Sequence, residues 1–187
     1  MAIYMTDDEL KYWLALKWVP GVGNVGFTSL VATFGSPQAV FAAPISSLRE
    51  TSGIGQKIAS QIKSFSKWQE VERELTFARK EQVSIVTYGE PIYPKNLLNI
   101  YDFPPLLYIK GTLSEDDVCI AVVGSRLSST YGKFSTERLC RELAMKGITI
   151  VSGLARGIDR AAHQGSLTAK GRTIAVLGCG LDIVYPR

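Results

Sequence analysis

Three short glycine-containing loops carry the residues best suited to bind a charged group. Each loop directly follows an apolar run, and two of the loops also carry an arginine. Glycine lets a bound group approach the backbone closely, and arginine pairs with phosphate oxygens. Together the loops predict an anion pocket, most naturally for phosphate; the alternative is that the glycines only permit tight strand-to-helix turns. The loops are Gly124-Ser125-Arg126, Ser152-Gly153-Leu154-Ala155-Arg156-Gly157 and Gly178-Cys179-Gly180.

Motifs for nucleotide cofactors are missing from these loops. Residues 124–129 lack the Gly-x-Gly-x-x-Gly spacing of dinucleotide sites. The second apolar run also does not end in an acidic residue that could bind a ribose. The chain also lacks a Gly-x-x-x-x-Gly-Lys-Ser/Thr loop for ATP. We therefore predict no cofactor.

Asp159 and His163 are the candidate acid–base pair. They are four residues apart, on one face of the helix predicted after the second loop. The alternative is a helix-capping Asp beside an orienting His. His163 is the only histidine of the chain, and no Gly-x-Ser-x-Gly elbow supplies a nucleophile. We therefore predict no catalytic residue and no enzymatic activity.

The three cysteines exclude two further kinds of site. Cys119, Cys140 and Cys179 are odd in number, far apart and without a second Cys or His at metal-ligand spacing. Neither a disulfide framework nor a zinc site is indicated, and we expect buried, reduced thiols. The first residues lack a secretory pattern, and no stretch approaches the roughly 18 apolar residues of a membrane span. These features predict a cytoplasmic protein without a membrane partner.

Charge is unevenly distributed along the chain. The net charge is +4, but residues 1–72 carry six basic and six acidic side chains, whereas residues 118–187 carry ten basic and four acidic ones. A basic second half favours phosphate-rich partners. The alternative is an ordinary solvated surface.

Strands and helices must position the three loops. The apolar runs 119–123, 148–151 and 173–177 are uncharged, as strands buried on both faces are. Helical segments at 133–146 and 158–169 separate them, with Gly147 and Gly171 as expected C-terminal caps. This order predicts an α/β fold, a doubly wound parallel sheet with right-handed crossovers. Ligands bind such sheets beyond the carboxyl ends of the strands, where these loops lie.

The first part of the chain has helical periodicity instead. The segments Val19–Gly23 and Thr51–Gly55 share one pattern. In each, an apolar residue lies between two glycines immediately before a helix, and in the second segment a serine precedes the first glycine. This pattern is typical of helix-hairpin-helix turns, whose backbone amides can face a phosphate. A structural or protein-binding helical module is the alternative, and the neutral charge favours it. The predicted helices are Glu9–Val19, Gly26–Phe34, Pro37–Phe41, Ile45–Glu50 and a long run from Lys57 to near Glu81.

Periodicity changes from helical to strand-like near Val83. Strands are predicted at Val83–Tyr88 and Leu106–Ile109. We place the domain boundary at 72/73, with a helical domain of sterile-alpha-motif or helix-hairpin-helix type at 1–72 and an extended Rossmann-like domain at 73–187.

Motifs from about Tyr93 to the end resemble the DprA/Smf family of DNA-processing proteins. The matching segments are Tyr93-Pro94-x-x-Leu97, Pro104-Pro105-Leu106-Leu107-Tyr108, Gly124-Ser125-Arg126-x-x-Ser129-x-Tyr131-Gly132, Ser152 to Asp159 with Ala162-His163, and Gly171 to Pro186.

The resemblance implies binding of single-stranded DNA by a homodimer. Family members protect incoming strands in natural transformation and help load the recombinase RecA. In the family, the Arg of the Gly-Ser-Arg motif and a basic residue after Tyr-Pro contact phosphates; these correspond to Arg126 and Arg187, where Arg187 replaces the more frequent Lys or Pro. Binding should be independent of sequence and sensitive to salt.

The predicted DNA-binding residues lie in and beside the three loops. Tyr131 is the candidate for stacking on bases, and core packing is its alternative. The full set is Gly124, Ser125, Arg126, Ser129, Tyr131, Ser152, Gly153, Ala155, Arg156, Gly157, Gly178, Gly180 and Arg187.

The chain stops soon after the third apolar run. Family members continue through the rest of the sheet and often into a winged-helix domain, so the resemblance implies a shortened protein. The dimer surface usually lies in the missing stretch, and the homodimer is therefore expected for the full-length protein.

Two other functions compete with this one. A Rossmann-like phosphoribohydrolase shares the glycine-ended strands, but its Pro-Gly-Gly-x-Gly-Thr loop is absent from residues 1–187. A helix-hairpin-helix repair protein would bind DNA through the turns at Gly21–Gly23 and Gly53–Gly55, with the α/β part as scaffold.

Overall fold

Helices occupy the first part of the chain in the computed structural model, which describes residues 5–183. The first helix begins at Asp7, two residues earlier than predicted, because Thr6 and Glu9 form a capping box. The Glu9 N–H donates to Thr6 Oγ1 at 3.3 Å, and the Thr6 N–H donates to the Glu9 carboxylate at 2.8 Å. In chain order the helices of this part are α1 Asp7–Trp18, α2 Asn24–Phe34, α3 Pro37–Ala42, α4 Ile45–Glu50, α5 Gln56–Lys63 and α6 Trp68–Lys80.

The long helical run predicted from Lys57 is wrong, since it is two helices. Residues 64–67 separate α5 from α6, and Phe65 packs there against Phe41 and Trp68 with ring centroids 5.7 and 5.1 Å apart. Serines at 64 and 66 favour such a break, because their side chains compete for backbone hydrogen bonds.

Both predicted hairpin turns form. Gly21 and Gly53 take φ values of +87° and +79°, as these turns require, and the apolar residues that follow them, Val22 and Ile54, are buried. The turns therefore anchor the helical core, whose fully buried side chains include Leu14, Phe27, Leu30, Leu48 and Ile62.

A strand pair completes the first compact unit of the chain. β1 Val83–Thr87 pairs antiparallel with β2 Leu106–Lys110, and a 3-10 helix at Lys95–Asn99 lies between them. Leu106 is buried in the same core as the helices. By their contacts, residues 1–115 and 116–187 form two compact units, and the domain boundary at 72/73 stays a prediction.

The second unit contains the predicted parallel sheet. β3 Cys119–Ala121, β4 Thr149–Ser152 and β5 Thr173–Ala175 lie in the order β3-β4-β5, all parallel. α7 Thr130–Met145 and α8 Ile158–Thr168 are the crossovers. The predicted Rossmann-like α/β fold is confirmed.

The expectation that these strands are buried on both faces holds for β4, where Thr149, Ile150 and Ser152 are buried, and is wrong for β3 and for Ala175 of β5, which are exposed. Cys140 of α7 and Ala162 of α8 both pack on Ile150, so the two helices cover the same face of the sheet. Right-handed crossovers between strands in sequential order produce this arrangement.

Cys119 of β3 is exposed and Cys179 is half-buried, so of the three free thiols only Cys140 is buried as expected.

The predicted caps of α7 and α8 have different outcomes. Gly147 has φ +79° and follows the end of α7, as expected. After α8 the positive φ belongs to Lys170, at +55°, and not to Gly171. A Cβ at Gly171 would lie 2.6 Å from the Ala144 Cβ, so this glycine permits close packing against α7 instead.

Candidate functional site

The first two glycine loops are in direct contact. The Ile158 N–H, at the start of α8, donates to the Ser125 carbonyl oxygen at 3.2 Å. A Cβ at Gly124 would lie 2.7 Å from the Ile158 Cβ. Gly157 has φ +87°, and a Cβ there would overlap the Ser125 carbonyl oxygen. Both glycines are therefore needed for the loops after β3 and β4 to meet.

The third loop adjoins the second through the sheet. The Val176 N–H donates to the Ser152 carbonyl oxygen at 2.9 Å, and the Cβ position of Gly153 is 3.8 Å from the Val176 carbonyl oxygen. Gly178 and Gly180 lie farther along, exposed. The carboxylate of Asp182 lies against Gly180, an acid that the sequence-based prediction did not weigh. Negative charge here opposes phosphate binding.

Three predicted serines already serve the fold. Ser125 Oγ accepts from the Leu127 N–H at 3.1 Å, and Ser129 Oγ caps α7 by accepting from the Gly132 N–H at 3.0 Å. Ser152 is 2% exposed, and its hydroxyl donates to the Val122 carbonyl oxygen at 2.7 Å. The Ser152 hydroxyl therefore joins two strands and faces away from a ligand.

The second loop has an unusual backbone conformation. Leu154 has φ +57°, which is uncommon for a residue with a branched side chain. Beneath it, the Ala155 N–H donates to the Asp159 carboxylate at 3.4 Å. Asp159 and Ala155 are both buried, at 8% exposure. Asp159 thus stabilises the loop from inside.

His163 connects α8 to the sheet. Its Nδ1 lies 2.7 Å from Thr173 Oγ1, and this hydroxyl itself donates to the Ile150 carbonyl oxygen at 2.8 Å. Since the hydroxyl hydrogen is used, His163 Nδ1 is the donor to Thr173. Burial lowers the pKa of His163, and the nearby Asp159 charge opposes this shift. Asp159 and His163 Nδ1 thus each have a partner within the fold, whereas His163 Nε2 is buried and has no hydrogen-bond partner among the described residues.

Basic residues occur in the first two loops and in the first turns of α7 and α8. Arg126, Lys133, Arg156 and Arg160 are exposed, and the first turn of α7 carries no acid. Among the described residues, Arg126 forms no ion pair. Arg187 and the preceding Tyr185-Pro186 lie outside the described residues.

Tyr131 does not pack in a core. It is 80% exposed in the first turn of α7, so the core-packing alternative is wrong for the described chain. Sequence reasoning missed Phe134, which is 66% exposed, and the adjacent Lys133. The i, i+3 spacing of Tyr131 and Phe134 was the available signal, because such residues share a helix face.

Residues 5–183 contain neither a metal-binding cluster nor a membrane-spanning helix. No group of three or more His, Cys, Asp or Glu side chains there could hold a metal ion. Within the same residues, no helix is long and apolar enough to cross a bilayer.

Comparison with known families identifies the chain. The family model of DNA recombination-mediator protein A matches residues 84–187. This chain belongs to that family. The DNA recombination-mediator protein A family includes the DprA and Smf proteins, so the resemblance drawn from the motifs is confirmed.

Individual family relatives extend the match into the first unit. DNA processing protein DprA of Bacillus subtilis is 38% identical over 189 residues, covering 100% of this chain and 59% of the relative. Protein Smf of Synechocystis is 36% identical over 191 residues, covering 97% and 47%. The chain thus spans about half the length of these curated relatives.

A solved structure from the family has the same fold. The X-ray structure of DprA from Streptococcus pneumoniae matches with a TM-score of 0.76 and 29% identity, covering 100% of this chain and 62% of the other. The match therefore includes both the helical region and the parallel sheet.

Proposed function

We propose that this chain binds single-stranded DNA at the meeting point of its first two glycine loops and acts in DNA processing for recombination. The observation that carries the proposal is the contact of residues 124–126 with Gly157-Ile158 at the N-terminal ends of α7 and α8. Relatives of this chain are named DNA processing proteins. Their name supports DNA as the ligand.

Helix ends and arginines make this meeting point suitable for phosphate. The N-terminus of a helix carries partial positive charge and unpaired N–H groups, and here two helices begin beside one another. Arg126 and Lys133 add full charges without a neighbouring acid in the first turn of α7. The first two loops should therefore hold the phosphates, and the third loop, with Asp182, should lie at the edge.

These groups recognise the sugar–phosphate backbone and not base identity. Binding should consequently be independent of sequence and weaken with salt, by about −0.7 in the slope of log affinity against log salt for each neutralised phosphate of a single strand. Gly124, Gly153, Arg156 and the exposed Gly178 and Gly180 retain their predicted roles as the surface along which the backbone runs. Ser129, Ala155 and Gly157 would act by shaping it.

Replacing Arg126 tests the proposal directly. We expect Arg126→Ala to weaken binding of a labelled oligo-dT strand by about tenfold, because a charge-assisted hydrogen bond contributes roughly 1.5–3 kcal/mol. The salt slope should fall by about 0.7, one phosphate contact. Fluorescence anisotropy at two salt concentrations measures both quantities, with a matching duplex as competitor.

Arg138→Ala is the matched control. Arg138 is an exposed arginine of α7 that pairs with Glu142 at 2.9 Å, so its loss should leave the affinity within about twofold. Equal loss in both variants would indicate only a general charge effect. Absence of binding by the folded wild-type chain would contradict the proposed function.

The remaining parts of the proposal concern partners. Following the family resemblance, the bound strand is passed to the recombinase RecA in the cytoplasm, the full-length protein is a homodimer, and no covalent chemistry occurs. If RecA filaments grow no faster on DNA strands that carry this protein than on bare strands, the first part, transfer to RecA, is contradicted. A monomer in sedimentation of the full-length protein would contradict the second, and turnover of nucleoside monophosphates the third.

A further inference from the structure

Two exposed aromatic side chains stand at the start of α7. Tyr131 is 80% exposed and Phe134 is 66% exposed. Residues 116–187 contain a single further aromatic residue, Tyr185. In the described chain the ring-to-ring contacts all join residues of the first unit. Within residues 5–183, neither Tyr131 nor Phe134 therefore stacks on another ring.

This placement is unusual for large apolar rings. Aromatic side chains contribute the most area to a core when buried, yet the core of the second unit is built from Cys140, Ile150 and Ala162. Phe134 has no polar atom that would favour exposure. The two rings thus form an apolar surface, the α7 aromatic pair, which a ligand can cover.

The first turn of α7, where the α7 aromatic pair begins, lies beside the proposed phosphate site. Gly132, between Tyr131 and Phe134 in sequence, has its Cβ position 3.6 Å from Ile158 Cδ1, and Ile158 is the residue on which the first two loops meet. Successive helical residues are about 100° apart, so Tyr131 is nearer to this contact than Phe134 is. Residues three apart on a helix have Cβ atoms about 5–6 Å apart on the same face. That spacing lets two rings contact neighbouring bases of one strand.

The surrounding charge identifies the partner chemistry. Residues 118–136 contain no Asp or Glu, and Arg126 and Lys133 flank the rings. An apolar surface within a purely basic segment complements a ligand that is itself both apolar and anionic. A single nucleic-acid strand is such a ligand, because its unpaired bases are flat and its phosphates are charged.

We propose, on the basis of the single-stranded DNA function above, that Tyr131 and Phe134 stack on unpaired bases and thereby determine the preference for single over double strands. In a duplex the faces of the bases are covered by their neighbours, so they are not available to the rings. Arg126 and the helix ends bind phosphate in either form. Phe134 is the specificity-determining residue that the sequence motifs do not assign.

The test separates base contacts from phosphate contacts. Anisotropy would compare an oligo-dT strand with an abasic strand of equal length, which has the same charge but no bases, and with the duplex. We expect wild type to bind oligo-dT about tenfold more tightly than the abasic strand, since each stacked base contributes that order of affinity.

Variants of the rings give the decisive comparison. Phe134→Ala should weaken oligo-dT binding at least about fivefold and leave the abasic affinity unchanged. Tyr131→Ala should act in the same direction, and Phe134→Trp should retain wild-type affinity. Met145→Ala is the matched control, because Met145 is a 72% exposed apolar residue of the same helix, and it should change neither affinity.

Three results would overturn the inference. Equal wild-type affinity for the two strands would exclude stacking while leaving phosphate binding, and so the proposed function, intact. If Phe134→Ala weakens binding of oligo-dT and of the abasic strand equally, stacking is also excluded while phosphate binding remains. A change in sedimentation of Phe134→Ala would assign the rings to an interface between copies of this chain. Absence of binding to either strand would instead remove the proposed function itself.

Discussion

At the scale of single residues, the site depends on places where a side chain would not fit. Gly157 has a positive φ, and a Cβ there would overlap the Ser125 and Arg126 carbonyl oxygens. Leu154, three residues earlier, adopts positive φ although it has a Cβ. Such backbone costs about 1–3 kcal/mol per residue and is retained where surrounding contacts enforce it. Here the enforcing contact is the Asp159 carboxylate on the Ala155 N–H.

Gly157→Ala should therefore destabilise the second unit and abolish DNA binding. We expect the free energy of unfolding to fall by more than about 2 kcal/mol, because the new Cβ must displace the first loop. Urea unfolding followed by circular dichroism measures this. Tryptophan fluorescence would miss it, since Trp13, Trp18 and Trp68 all lie in the first unit.

Gly178→Ala provides the comparison for that variant. A Cβ at Gly178 meets no atom within 4 Å, so the expected change is within about 0.5 kcal/mol. Similar destabilisation by both substitutions would contradict the assigned role of Gly157.

At the scale of elements, the start of α7 has both a structural and a binding role. Ser129 caps the helix at the position where the phosphates of the DNA strand are proposed to approach. Asp is as good an N-cap as Ser, and its charge is favourable at a helix N-terminus. A substitution can therefore preserve the cap while reversing the electrostatics of the site.

Ser129→Asp should keep stability near wild type and weaken oligo-dT binding by about tenfold at low salt, with a smaller loss at high salt because of screening. Thermal unfolding and anisotropy together check this outcome. Thr6→Asp, the same change at the cap of α1, should leave the affinity unaltered. If Ser129→Asp binds normally, phosphates do not approach the start of α7.

At the scale of the whole molecule, the two units differ in charge. The helical region is neutral, whereas the sheet region is strongly basic. Both hairpin turns of the first unit nevertheless have helix-hairpin-helix geometry, and each has a lysine close in sequence, Lys17 before the first and Lys57 after the second. Lys17 Nζ donates to Asn24 Oδ1 at 2.6 Å, which restricts it.

The double variant Lys17→Gln/Lys57→Gln should bind oligo-dT within about twofold of wild type, since the proposal assigns every phosphate contact to residues of the second unit. Anisotropy at the salt used for Arg126→Ala gives the comparison. A loss as large as that of Arg126→Ala would instead place DNA on the hairpins of the first unit.

Local patterns were sufficient for most elements. The three apolar runs, the glycine-ended loops and the helix-hairpin-helix turns depend on neighbouring residues, and the order of strands and helices implies a parallel sheet. The sequence-based predictions are wrong where contacts between residues far apart in the chain determine the local structure. The break at Phe65 depends on rings from α3 and α6, and the close packing of Gly171 depends on Ala144.

The sequence by itself determined the α/β class, the family, and the loops that carry the candidate site. Only the tertiary structure decided which loops meet, that Ser152 and His163 bond inward, and that both rings at the start of α7 face solvent. The physical reason is that motif residues are adjacent along the chain. Contact between loops, and the covering of one face of the sheet by both helices, arise between residues far apart in sequence.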